Sequence, residues 1–159
     1  MFDQLRIGSG IDVHAFGEEG SALIVGGIQI DHPRGLAGHS DADVLLHALV
    51  DALLGAMNLG DIGEHFSSED SRWKGANSAD FVVWTREQLE DRKAKIISID
   101  SQIIAQAPKM KPYVSRMRAK ISDLLKIDES RVSVKATTTD HLGFVGRKEG
   151  IACQATCLI

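Results

Sequence analysis

The stretch SDADVLLHALVDALLGAM, residues 40–57, carries the clearest helical pattern in the chain. Val44, Leu45, Ala48, Leu49, Ala52 and Leu53 recur at intervals of three and four, the period of one helix face. Ser40 stands just before Asp41 and Asp43, which predicts Ser40 as the N-cap, carboxylates in the first turn, and a helix reaching about Met57. Upstream, residues 5–16 mix β-branched residues with glycine, and residues 22–25 and 28–30, joined by Gly26 and Gly27, read as a hairpin.

Downstream, residues 60–77 are rich in Gly, Ser, Asp and Glu and exceed a typical connection, which predicts a functional loop or lid and the mobile part of the chain. Asn77 or Ser78 then caps a second helix to about Lys93, and residues 95–105 read as a strand. Pro112 opens a third helix reaching Lys126, and strands at 131–137 and 150–159 close the chain. Strands and helices mix without strict alternation, so the class is α+β, a mixed sheet with helices packed on one face. The last strand, ACQATCLI, has apolar or small residues on both sides, which points to burial of the second sheet face against another subunit.

A length of 159 residues with 43% hydrophobic content suits one domain, 1–159. The net charge of -4, without a run of one sign, argues against a disordered tail or a surface that coats nucleic acid. Cys153 and Cys157 are separated by about 13 Å of strand, too far for a disulfide, and read as buried thiols. The opening MFDQLRIGSG lacks the pattern of a secretory signal and no apolar run reaches membrane-spanning length, so a soluble, cytoplasmic protein without membrane contact is expected.

Asp12 and His14 occupy positions i and i+2 of a strand and project from one face, able to converge on one ion. By itself the pair reads first as a satisfied structural histidine and only second as a ligand pair. His47, one turn beyond Asp43 in an apolar stretch, needs a hydrogen bond or a metal, and with Asp12 and His14 would leave the fourth position of a catalytic zinc site open. His32 and His65 read as surface residues in loops, and His141 as part of a polar turn. His39 and Ser40 stand at the helix start, where free N–H groups attract phosphate. Ala105, Pro108, Lys109, Met110 and Lys111 form a turn able to read a flat heterocycle or simply to lie in solvent. Thr137, Thr138 and Thr139, then Asp140, Phe144 and Arg147, supply the hydroxyls, carboxylate and guanidinium that a diphosphate site requires.

Five segments, GSGIDVHAFG, AGHSDADVLLHAL, LGDIG, AQAPKM and KATTTDHLGFVGRKEGIAC, in this order over nearly the whole chain, resemble the 2-C-methyl-D-erythritol 2,4-cyclodiphosphate synthase family. The resemblance implies a homotrimer around a β-lined axis with active sites between subunits, and zinc on Asp12, His14 and His47. It implies substrate contacts from Asp12, Val13, His14, His39 and Ser40, from Asp61, Ile62 and Gly63 toward the erythritol, and from a closing loop of Phe66, Ser67, Ser68, Glu69 and Asp70. Ala105, Gln106, Ala107, Pro108, Lys109, Met110 and Lys111 would take cytosine and ribose. Ala136, Thr137, Thr138, Thr139 and Asp140 would line the diphosphate, with magnesium or manganese on Asp140, and Phe144 and Arg147 would complete the pocket. The chain departs from the family at Asp140, where glutamate is usual, at Ser68, where FSSED replaces FPDTD, and at Ser9, where histidine is common.

The implied reaction closes 4-diphosphocytidyl-2-C-methyl-D-erythritol 2-phosphate into the cyclic diphosphate and releases CMP, a step of non-mevalonate isoprenoid precursor synthesis. His39 and Thr138 would donate hydrogen bonds to the transition state. The nucleophile is the substrate's own phosphate, which fits a sequence without a Ser-His-Asp arrangement or a reactive-cysteine motif. A zinc hydrolase of phosphate esters, or a binding module without turnover, would use the same residues.

Overall fold

In a computed structural model, residues 4–159 are described; the first three residues of the opening segment lie outside them. A long first strand, β1 (Ile7–Glu19), is followed by a small hairpin, β2 (Leu23–Val25) and β3 (Ile28–Ile30), and an edge strand, β4 (Arg34–Leu36). The central helix α1 (Val44–Ala56), a single turn α2 (Ile62–His65) and α3 (Ser78–Asp91) come next. Then follow β5 (Ser98–Ile104), α4 (Val114–Leu125), β6 (Val132–Thr137), the short α5 (Gly143–Gly146) and β7 (Gly150–Leu158). The main sheet runs β4-β1-β7-β5-β6, with β5 and β6 parallel and the other pairs antiparallel. The mixed sheet and the helices on one face are those expected.

Ten residues of α1 are buried, Leu46, Val50 and Leu54 as well as the expected stripe, because the helix is wrapped by β1 and β7 on one side and α3 on the other. Close approach of α1 to the sheet depends on Gly8 and Gly10. A Cβ at Gly8 would lie 1.9 Å from the Ala52 carbonyl oxygen, and one at Gly10 would lie 2.2 Å from that of Ala48.

The cap of α1 differs from expectation. Asp43, not Ser40, is the N-cap, and its carboxylate accepts from the Leu46 N–H at 3.0 Å. The same carboxylate accepts from Gly26 N–H at 2.9 Å and Gly27 N–H at 2.7 Å, so it joins the β2–β3 turn to the helix start. A carboxylate that gathers three otherwise unpaired donors outcompetes a hydroxyl three residues earlier. Full burial pushes the Asp43 carboxyl up to about 6, against the downward pull of these three donors.

Residues 60–77 are not an open loop. Besides α2 they contain a 3-10 turn at Ser71–Trp73, and Phe66 stacks on Phe81 at 4.2 Å while meeting Trp73 and Trp84 edge-on. His65, expected as a surface residue, ends α2, packs on Trp84 at 4.8 Å and bonds the Leu59 carbonyl. His32 is likewise half-buried, stacked on Phe16. Both cysteines are free and buried, as expected, and burial raises both thiols, Cys157 to about 11. Among the described residues no helix is long and apolar enough to cross a membrane.

Candidate metal centre and adjoining pockets

β1 and α1 bring together three side chains from 35 residues of separation. Pleating puts Asp12 and His14 on the inner face of β1, and α1 presents His47 opposite them. Asp12, His14 and His47 each offer one ligand atom, all within 4.8 Å of one another. Among the described residues this is the one such group of His, Cys, Asp and Glu side chains.

The hydrogen-bond network assigns the tautomers. Nδ1 of His14 lies 2.7 Å from the Ala37 carbonyl and therefore carries the proton, leaving a lone pair on Nε2. Nε2 of His47 lies 2.8 Å from Oγ of Ser78, whose own proton is committed to the Asp41 carboxylate. That nitrogen is therefore the donor, and Nδ1 of His47 keeps its lone pair. Nε2 of His14 and Nδ1 of His47 then face each other at 3.4 Å, and Oδ2 of Asp12 lies 2.8 and 3.2 Å from them. Neither approach to Oδ2 has hydrogen-bond alignment, and this buried oxygen is left without a donor.

Three lone pairs converging on one point without a proton between them repel unless a positive charge sits there. Without a metal, a proton on an imidazole supplies that charge. Burial opposes ionisation of Asp12, but the two imidazoles hold its carboxyl well below the usual carboxylate range. Burial opposes charge on His14 too, and Asp12 overrides it, raising the imidazole pKa. Two imidazoles and one carboxylate are a donor set suited to zinc, with a position left for an exogenous ligand.

The group opens into a pocket of about 200 Å³ lined by His39, Ser40, Ile62, Gly63, Phe66, Ser68, Trp73 and Phe81 as well as the three ligands. Most of the expected erythritol and phosphate residues are therefore gathered here. Asp61 is spent as the cap of α2, accepting from Glu64 N–H at 3.0 Å. Val13 points to the opposite sheet face and is 48% exposed. Ser67 and Glu69 form a local turn, and Asp70 caps the next turn and pairs with Arg72. His39 and Ser40 do not stand on the helix N-terminus, which Asp43 occupies; Nε2 of His39 instead donates to the Asp70 carbonyl at 2.9 Å.

A second pocket of about 450 Å³ gathers Ala105, Gln106, Pro108, Lys109, Met110, Lys111, Ala136, Thr137 and Thr138; Ala107, joined to Pro108 by a cis peptide bond, is not among its lining residues. Parallel pairing of β5 with β6 places the two turns side by side. Thr139 bonds the Leu142 carbonyl, Asp140 is exposed at a positive φ of 53°, and Phe144 is exposed on α5. Arg147 pairs with Glu149. Within one chain the two pockets share no lining residue. The sequence reading missed Trp73 and Phe81 in the first pocket, and Asp41 and Ser78 behind His47. Asn77–Ser78 stood out only as a cap, since Asp41 and Ser78 are 37 residues apart.

Comparison with known proteins accounts for this arrangement. Residues 5–159 match the YgbB family. The chain is 54% identical to a 2-C-methyl-D-erythritol 2,4-cyclodiphosphate synthase of Marinobacter nauticus over 155 residues, 98% of this chain and 97% of that one. It is 53% identical to the synthase of the same name from Thiobacillus denitrificans, over 98% of this chain and 97% of that one. The solved structure of Plasmodium falciparum IspF in complex with CDP superposes with a TM-score of 0.87 at 35% identity, covering 99% of this chain and 97% of that one. With the match running through both pockets and every strand of the sheet, the chain belongs to the YgbB family, among the 2-C-methyl-D-erythritol 2,4-cyclodiphosphate synthases.

Proposed function

We propose that this protein converts 4-diphosphocytidyl-2-C-methyl-D-erythritol 2-phosphate to 2-C-methyl-D-erythritol 2,4-cyclodiphosphate and CMP, in the cytoplasm, as a homotrimer with its active sites between neighbouring copies. The observation that carries the reading is the convergence of three proton-free ligand atoms from Asp12, His14 and His47 at the head of a pocket in a chain of this family. An oxygen of the substrate's 2-phosphate attacks the β-phosphorus, and the bond from that phosphorus to the bridging oxygen breaks, the electron pair leaving with CMP. The nucleophile is already an anion, so the protein's work is positioning and charge neutralisation.

Asp12, His14 and His47 would hold zinc, and Asp140 together with the substrate diphosphate would hold magnesium or manganese. These cations, when bound, supply positive charge against which the two phosphate groups approach. Ile62 and Gly63, with Asp61, Phe66, Ser67, Ser68, Glu69 and Asp70 around them, would enclose the erythritol and exclude water. Ser40 would contact the 2-phosphate. Thr138, and His39 once its N–H is released from the Asp70 carbonyl, would donate hydrogen bonds to the phosphoryl oxygens as charge develops there. The pocket of Ala105 to Lys111 would take cytosine and ribose, with backbone groups reading the base edge, and Ala136 to Asp140, Phe144 and Arg147 would take the diphosphate.

Support for a shared site comes from the separation of the two pockets within one chain and from the outer face of β1. Ile7, Ile11 and Val13 are exposed there, an apolar row that solvent would not select. Turnover in water enriched in oxygen-18 tests the reaction. Cyclisation leaves CMP and the cyclic product unlabelled, whereas label in either product would establish hydrolysis by a metal-bound water and overturn this reading.

A further inference from the structure

Behind the ligand atoms, the face of His47 turned away from Asp12 is held by a second chain of polar groups. Ser78, the first residue of α3, is fully buried, and its Oγ accepts from Nε2 of His47 at 2.8 Å and donates to Oδ1 of Asp41. Asp41 is itself fixed. It accepts from Ser78 N–H at 3.0 Å and Asp43 N–H at 3.1 Å, and its own N–H donates to the Ala76 carbonyl at 3.0 Å. Ser40 Oγ lies farther from Nε2, at 3.2 Å, and already accepts from Ala42 N–H.

We propose that Asp41 and Ser78 are positioning residues that hold His47 in the tautomer protonated at Nε2, so that its Nδ1 lone pair is presented to the metal. The inference rests on the zinc reading of Asp12, His14 and His47. A carboxylate accepts only, so Asp41 orients the Ser78 proton toward itself and obliges Ser78 Oγ to accept from His47. Remove Asp41 and the hydroxyl is free to rotate and donate to Nε2, which moves the imidazole proton to Nδ1, where it blocks the ligand position. Partners behind a metal-bound imidazole typically change metal affinity by about 10–100-fold.

The test is zinc affinity of the full-length chain by chelator competition, with thermal stability of each metal-free variant measured alongside, and with 15N spectra of the His47 ring. Ser78→Ala is expected to weaken zinc about 10-fold and Asp41→Ala by up to about 100-fold. The double variant is expected to be no weaker than Asp41→Ala, because the two act in one chain. Ring nitrogens of zinc-loaded parent protein are expected to show metal on Nδ1 and a proton on Nε2, a readout that survives even if a variant fails to fold. Zinc affinity within twofold of the parent in Ser78→Ala, additive losses in the double variant, or metal on Nε2 would overturn the relay while leaving the zinc site intact. Absence of zinc binding by the parent protein would overturn both.

Discussion

Asp12 sits where burial alone would raise its pKa, yet hydrogen bonding and charge from His14 and His47 hold its carboxyl low when an imidazole carries a proton to the same point. A proton and a metal ion compete for that point, and His14, with its pKa raised, is where the proton goes. Affinity for the proposed zinc is therefore expected to hold above the raised His14 pKa and to be lost as pH falls through it. Chelator competition between about pH 8 and pH 6 is expected to show the decline, and a flat profile would argue against an imidazole ligand. Thr138→Val removes one hydrogen-bond donor and is expected to lower kcat by about 100-fold, roughly 3 kcal/mol, with zinc content unchanged. Steady-state kinetics and metal analysis check both halves. At this scale Asp12, His14 and His47 were legible because strand and helix periods fix which side chains share a face. The proton positions were not, because Ser78 and Asp41 meet His47 only after α3 has docked.

The start of α1 shows how one side chain organises two elements. Asp43 accepts from the hairpin turn and from the first turn of the helix at once. Asp43→Asn keeps the shape but turns an amide N–H toward one of these donors, and is expected to cost about 1–3 kcal/mol. Denaturant unfolding of the metal-free protein measures it, and an unchanged midpoint would mean that the turn and the helix are held independently. Sequence placed the hairpin and the helix correctly but chose Ser40 as cap, since local preference cannot register donors contributed by Gly26 and Gly27. The same limit explains the loop at 60–77. Its polar composition hid Phe66 and Trp73, whose partners Phe81 and Trp84 belong to α3. The edge strand β4, three residues long, is too short to show alternation at all.

Across the whole molecule, the helices cover one face of the sheet and leave Ile7 73% and Ile11 65% exposed on the other. Ile11 pairs in register with Gln154, which pairs in turn with Gln102, so an apolar edge grades into a polar sheet centre. On the proposed trimer, analytical ultracentrifugation is expected to find the parent chain trimeric and Ile11→Asp monomeric, with turnover abolished while zinc still binds. Active monomers would contradict a site shared between copies. The sequence placed the second buried face on the last strand, β7, whereas the exposed apolar row lies on β1 and β7 turns Gln154 outward beside it, because a strand's pattern alone does not say which of its neighbours carries the apolar surface. The most direct measurement is phosphorus NMR of the protein with the cytidyl substrate and magnesium, before and after zinc is stripped by a chelator and then restored. CMP and a cyclic diphosphate that vanish with zinc and return with it are expected; undiminished cyclisation by the zinc-free protein would contradict a metal centre at Asp12, His14 and His47.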